Sequence, residues 1–204
     1  MDEQSTPGRM ERRREETRQK VISAALELIA DLGYEAVTME QIAEKADIAK
    51  GTLYNYYPVK DAIIADHIDR LSMLRNAERI HRLRQLPDTR ARVTLSLSEL
   101  VEAVCAQSLL FEKYFTYRVQ QMISLDRRSS RVAGLHALER AIIEMGQQSG
   151  EIRSDVEPAL LEALFEFTFI EVAQAYYQNP AGFDAEKTVN QCADLFLRGA
   201  GVQK

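Results

Sequence analysis

Three tyrosines, an asparagine, a threonine and a lysine crowd into the run Lys50-Gly51-Thr52-Leu53-Tyr54-Asn55-Tyr56-Tyr57, which ends at Pro58. Hydroxyls, an amide and an ammonium at this density suit recognition of a duplex. Lysine supplies charge to a phosphate or a guanine edge, and tyrosines offer hydroxyls to phosphates and ring faces to thymine methyls. Catalysis asks for converging acid, base or metal groups. The chain holds no HExxH, G-x-S-x-G or phosphate-loop pattern, so no catalytic residue and no cofactor is expected. His67, flanked by Asp66 and Asp69, is read as part of a solvated face because helical neighbours point apart, and His81 and His136 are isolated. No metal is expected.

Two short helices must position that run. Thr38 opens the first, and Gln41 three residues later completes a capping box. Ile42, Ala43 and Ala46 form its inner face. The second runs from about Ala49 to Tyr57, where Pro58 removes a donor and biases its predecessor out of the helical region. Leu53 and Tyr57, four apart, point inward. Lys50, Gly51, Thr52, Tyr54, Asn55 and Tyr56 are left for the outer face, with Gly51 permitting close backbone approach. Thr38 can offer its hydroxyl and nearby amides to a phosphate. Lys60, opening the next helix, could reach the other side of a groove. These residues alone leave two readings open: a helix-turn-helix on DNA, or a helical hairpin whose tyrosines pack against the following helix.

The runs Gly33-Tyr34-Glu35-Ala36-Val37-Thr38-Met39-Glu40-Gln41-Ile42-Ala43 and Lys50-Gly51-Thr52-Leu53-Tyr54-Asn55-Tyr56-Tyr57-Pro58-Val59-Lys60 resemble the DNA-binding domain of the tetracycline-repressor (TetR) family. The resemblance covers about 17–64. It implies an all-α homodimer, in which helices 1–3 bind operator DNA and the other helices bind a small-molecule effector and the partner subunit. It also implies a ligand-responsive regulator, most simply a repressor; the cytoplasm is expected because two distant cysteines suit a reducing compartment. An activator or chromosome-organising protein of the same fold without a small-molecule switch is the alternative, and a helical enzyme or scaffold a remote one. By motif position, Thr38, Lys50, Gly51, Thr52, Tyr54, Asn55, Tyr56 and Lys60 are the implied DNA contacts. Three positions depart from the pattern. Ala49 lacks the frequent Ser or Thr cap, whose loss costs ~1 kcal/mol. Asp47 replaces a frequent Gly but tolerates the left-handed region. Tyr57 replaces Phe, and its hydroxyl needs a partner.

The whole chain fits that frame. At 204 residues and net charge −5 it is no polycation, so a DNA site must be a local patch. Cys105 and Cys192 suggest no disulfide framework, and no apolar run is long enough for a membrane span. Residues 1–10 read as a flexible tail, 11–62 as the DNA-binding domain and 63–204 as the ligand-binding and dimerisation domain. About nine helices are expected. The first carries Val21, Ala24, Ala25, Leu28, Ile29 and Leu32 from Thr17 onward; later ones span 60–84, 89–107, 108–126, 129–149, 157–178 and 185–200. Arg12-Arg13-Arg14 could touch phosphates, but Glu11, Glu15 and Glu16 could equally pair with them.

Helix 157–178 is apolar on more than one face, so it must be buried on more than one side. With 185–200 it suggests a four-helix dimer seam. Phe111, Tyr114, Phe115, Arg118 and Met122 share one side of 108–126. They are read as a candidate effector wall with Phe165 and Phe169, Arg118 pairing with an acidic group on the ligand.

Overall fold

The computed structural model describes residues 8–123 and 133–201, with backbone alone at 133–136. The fold is all-α. The described residues form α1 (Arg9–Leu32), α2 (Met39–Lys45), α3 (Lys50–Tyr56), α4 (Lys60–Arg84), α5 (Thr89–Ala106), α6 (Ser108–Ile123), α7 (Ala133–Gln148), α8 (Pro158–Gln178) and α9 (Ala185–Ala200). Short 3-10 turns lie at Tyr34–Ala36 and Pro180–Gly182. The chain divides into two compact units, Met1–His67 and Ile68–Lys204.

In the first unit α1 begins at Arg9, eight residues before the expected start at Thr17. The apolar repeat starts only at Val21, but the preceding Arg, Glu, Gln and Lys residues are themselves good helix formers. The expected tail therefore loses Arg9 and Met10 to the helix, and 1–7 lie outside the described residues. Gly33, at φ 81°, ends α1 and donates its N–H to Ile29. Thr38 caps α2 as expected. Its Oγ1 accepts from Gln41 N at 3.2 Å, and Gln41 Oε1 accepts from Thr38 N at 2.8 Å. Asp47 takes φ 54° and turns the chain into α3, whose first turn has no side-chain cap at Ala49. The core of this unit gathers Val21, Ile22 and Ala25 with Val37, Ile42, Leu53 and Tyr57.

The boundary between units falls at 67/68, not at the expected 62/63. The first turns of α4 are tied to the first unit: Lys60 to the Tyr34 and Val37 carbonyls, Asp61 to the Tyr34 hydroxyl, Asp66 to the Tyr57 hydroxyl.

In the second unit α8 packs against α7 and α9, and α5 against α6, α7, α8 and α9. Val93, Leu97, Leu138, Ile142, Phe165 and Phe169 are core residues. Asp88 caps α5 through the Ala91 N–H at 2.7 Å, and Asp184 caps α9 through the Lys187 N–H at 2.9 Å. The break expected between helices 108–126 and 129–149 lies outside the described residues. Among those described, no single helix is long and apolar enough to cross a membrane.

Candidate nucleic-acid interface

Burial divides α3 into two faces. Leu53 is 0% and Tyr57 4% exposed, while Lys50, Gly51, Thr52, Tyr54 and Asn55 are exposed and Tyr56 is half-buried. The spacing of four between Leu53 and Tyr57 seats that side on the unit's core and turns the polar side outward. The Tyr57 hydroxyl, which needs a partner, donates to Asp66. Thr38 stays exposed, although its hydroxyl is engaged in the capping box.

The outward face is not uniform. On one flank a single carboxylate oxygen of Glu40 lies 3.8 Å from the Lys50 ammonium and 3.5 Å from the Tyr54 hydroxyl. On the other flank Thr52, Asn55 and Tyr56 line a groove of about 310 Å³ together with Arg14 and Arg18 of α1. Neither Glu40 nor Arg18 was singled out from sequence. Glu40 lies ten residues from Lys50, and Arg18 sits among polar residues with no motif around it. A Cβ at Gly51 would meet no atom within 4 Å.

Lys60 behaves differently from the other expected contacts. Its ammonium donates to the Tyr34 carbonyl at 2.7 Å and the Val37 carbonyl at 2.6 Å, and it lies 4.2 Å from the Tyr34 ring centre. An ammonium has three donors. Two are engaged inside the first unit, so Lys60 ties α4 to the loop after α1.

The expected effector wall is not one surface in the second unit. Tyr114 and Phe165 are fully buried core residues, and Phe115 is buried beside Tyr114. The Tyr114 hydroxyl donates to Asp69 at 3.1 Å; burial first, then the Asp69 charge, pushes its pKa well up. Arg118 is buried and donates to Glu166, so its charge is answered within the protein and not left for a ligand. Met122 lines a separate groove with Val119, Phe167 and Leu195.

Only Phe111 and Phe169 of that set line the cavity of about 600 Å³ between α4 and α5. Its other apolar walls are Ile68, Leu71, Leu100, Ala103 and Ala106. Arg75, Arg79 and Arg82 line it from α4 together with Glu78, and Glu99 and Glu102 line it from α5. Glu99 pairs with Arg79 at 2.8 Å and Arg82 at 2.6 Å, while the Arg75 guanidinium has no partner among the described residues. The stripe 75, 79, 82 was readable as one helix face, but nothing local pairs it with Glu99.

Known proteins resemble this chain in sequence and in fold. A family model described as bacterial regulatory proteins, tetR family, matches residues 21–66. The uncharacterised HTH-type transcriptional regulator YdeS of Bacillus subtilis is 30% identical over 155 residues, 71% of this chain and 72% of that protein. The HTH-type transcriptional repressor KstR of Rhodococcus jostii is 37% identical over 100 residues, 48% of this chain but only 45% of the repressor. The crystal structure of Thermus thermophilus FadR, a TetR-family transcriptional repressor in complex with lauroyl-CoA, superposes with a TM-score of 0.70 at 22% identity. That superposition covers 92% of this chain and 96% of FadR, and at this identity it speaks for the fold. With a recognition helix seated on a buried Leu53/Tyr57 edge and a relative matched over most of its length, the chain belongs to the tetR family of bacterial transcriptional regulators.

Proposed function

We propose that this regulator is a ligand-responsive repressor that binds a near-palindromic operator in the cytoplasm as a homodimer. The observation that carries the reading is the divided surface of α3, with Leu53 and Tyr57 inside and Lys50, Thr52, Tyr54 and Asn55 outside. A helix built this way can enter a major groove without unfolding its own support. Lys50, Thr52, Tyr54, Asn55 and Tyr56 make the contacts, Gly51 admits the backbone, and Thr38 holds a phosphate at the start of α2. Lys60 is left out of the contact set for the reason given above.

The dimer forms through α8 and α9. Leu161, Phe165 and Val172 of α8 face the protein's own core, while Leu160, Leu164 and Phe167 are exposed. Leu195 of α9 is 73% exposed, whereas Val189, Cys192, Ala193 and Phe196 are buried. A second copy covering these exposed residues gives a four-helix seam.

The effector is an amphiphile with an apolar chain and an anionic head. Ile68, Leu71, Leu100, Ala103, Phe111 and Phe169 suit the chain, and Arg75, which has no partner among the described residues, suits the head. Lauroyl-CoA, the ligand of the Thermus thermophilus neighbour, is of this class. A regulator of the same fold without a switch would be expected to have a closed second unit, and a cavity of about 600 Å³ argues against it. Effector in this cavity favours one placement of α4, and the coupling equals its difference in affinity for the two states.

The test uses the full chain and a duplex enriched by it from a randomised library. Lys50→Ala/Tyr54→Ala should abolish specific retention while the protein stays dimeric. Lauroyl-CoA should release the wild type, and Ala103→Trp, which fills the cavity, should stay bound. Specific binding undiminished in the double variant would defeat the contact set, and indifference to acyl-CoA would defeat the effector class.

A further inference from the structure

The cavity between α4 and α5 has buried apolar walls and a charged mouth. Ile68, Leu100 and Phe169 are buried, while Arg75, Glu78, Arg82 and Glu102 are exposed and Arg79 and Glu99 half-buried. On formal count its three arginines and three glutamates cancel. The mouth therefore draws no anion by net charge. An anionic head gains there only by taking a free guanidinium, or by replacing a carboxylate that already holds one.

The charges are not equivalent. Glu99 of α5 holds two guanidiniums of α4 through separate carboxylate oxygens, Arg79 at 2.8 Å and Arg82 at 2.6 Å. Arg75, Glu78 and Glu102 make no ion pair or hydrogen bond with any described residue. Arg75, Arg79 and Arg82 follow at spacings of four and three, so they share one face of α4. Glu99 is thus an internal anion seated on the guanidiniums that a head group beside Arg75 would reach next. It is not sealed from water: its side chain is 21% exposed, that of Arg79 14% and that of Arg82 47%. Pairs this open are weakly held, and a stronger anion can exchange into them. Farther along α4 the two helices are joined independently. Arg92 of α5 donates to the Leu83 carbonyl at 3.1 Å and the Leu86 carbonyl at 3.0 Å. Loss of the Glu99 pairs would free the middle of α4 without undocking its end.

A carboxylate head that replaced Glu99 would exchange like for like and strand Glu99, so the swap gains nothing. A phosphate brings three acceptor oxygens and close to two negative charges. That suffices for forked contacts to Arg79 and Arg82 with Arg75 beside them. We infer that Glu99 is an internal competitor for the effector's head. A phosphate-bearing head displaces it from Arg79 and Arg82, and this exchange both selects such heads over carboxylates and releases the middle of α4 from α5. The inference rests on the effector reading above and adds the residue that sets head-group preference and carries the response.

Calorimetric titration of the full chain with dodecyl phosphate, laurate and lauroyl-CoA tests it. The first two share one chain length and differ in the head. Wild type should prefer dodecyl phosphate to laurate by about tenfold or more, the worth of a charge-assisted bond over none. Glu99→Gln removes the competitor and should bind dodecyl phosphate and lauroyl-CoA about tenfold more tightly. Glu78→Gln and Glu102→Gln remove the same charge from the same mouth but free no guanidinium, so each should gain less than about threefold. Arg79→Gln/Arg82→Gln should erase the head preference. Adding Glu99→Gln to that pair should again gain less than about threefold, since no guanidinium is left to free. Without effector, Glu99→Gln should hold the enriched duplex less tightly than Glu102→Gln does, because its α4 is already released.

Equal gains from the three glutamate variants overturn the inference, for they would mean that net charge alone acts. Equal wild-type affinities for laurate and dodecyl phosphate overturn it too. So does a gain from Glu99→Gln that is as large on the Arg79→Gln/Arg82→Gln background as on wild type. If that double variant fails to fold, the single glutamate variants still decide. Absence of binding of every probe, to wild type and Glu99→Gln alike, sinks the effector reading as well, a result distinguishable from these.

Discussion

Glu40 Oε1 lies 3.8 Å from the Lys50 ammonium and 3.5 Å from the Tyr54 hydroxyl, on the face proposed to meet DNA. A carboxylate there repels phosphates and occupies the two groups that would contact them. It can accept a hydrogen bond from a cytosine amine, so at a matching site the repulsion is offset by a base contact. On the proposed reading Glu40 would penalise wrong sequences more than right ones. Glu40→Gln should bind random duplex more tightly, with a salt slope steeper by about 0.9 per protomer as Lys50 is freed. The enriched duplex should gain less, so the ratio of the two affinities falls. Fluorescence anisotropy on both duplexes measures it, and unchanged binding to random DNA would refute the role.

Gly51 sits in a seven-residue helix where alanine is sterically free, since its Cβ would meet nothing within 4 Å. Glycine in a helix costs roughly 0.5–1 kcal/mol relative to alanine. Among the described residues nothing approaches that position, as would suit close approach of an outside backbone. Gly51→Ala should raise the unfolding midpoint by a few degrees and weaken specific DNA binding by roughly five- to tenfold, the value of one net hydrogen bond. Thermal melts and anisotropy on the same preparation check both. A variant that is more stable and binds equally well would remove Gly51 from the interface.

Several local features were legible before the fold. The Thr38/Gln41 capping box, the left-handed Asp47, the end of α3 before Pro58 and the 60–84 span of α4 each follow from residues within a few positions of one another. What escaped is what long-range pairing decides. Lys60 and Arg118 are long, charged side chains at plausible ligand positions. Their partners lie 26 and 48 residues away, and no local pattern signals them. Leu74 shows the converse: its spacing of three from Leu71 and six from Ile68 suits a core position on α4, yet it is 82% exposed. The cavity was missed for a related reason. It depends on how α4 and α5 splay, which leaves no periodic signature in either helix.

Arg118 and Glu166 are a test of whether that internal pair is structural. Both are buried, and Glu166 would be left charged and unanswered if Arg118 were cut back. Breaking such a pair from one side costs about 3–5 kcal/mol, while exchanging both members for apolar residues of similar volume is often neutral. Arg118→Ala should therefore destabilise the protein by about 3–5 kcal/mol in urea unfolding, and Arg118→Met/Glu166→Leu should recover most of it. The double variant should still respond to acyl-CoA, because neither residue lines the α4–α5 cavity. Loss of the response in a stable double variant would return Arg118 to the effector site.

Glu151 ties the start of α5 to the loop after α7, and its titration should be visible in the stability of the protein. Its carboxylate accepts from the Thr89 hydroxyl at 2.6 Å, the Thr89 N–H at 2.9 Å and the Ser149 hydroxyl at 2.9 Å, with Arg92 3.7 Å away. The Thr89 hydroxyl contributes most, and these donors together hold the acid below its ordinary value of 4.5 against the opposing effect of burial. A group with a lowered folded-state pKa binds fewer protons in the folded than in the unfolded protein. Its contribution is thus complete above about pH 4.5 and is lost as the pH falls through the lower folded value. At neutral pH, Glu151→Ala also removes the acceptor for an otherwise open N–H in the first turn of α5, a cap worth about 1 kcal/mol. Wild type should therefore melt above Glu151→Ala at pH 7, and the gap should narrow steadily below pH 4.5. A gap that stayed constant down to pH 3 would mean that Glu151 acts by packing and not through its charge.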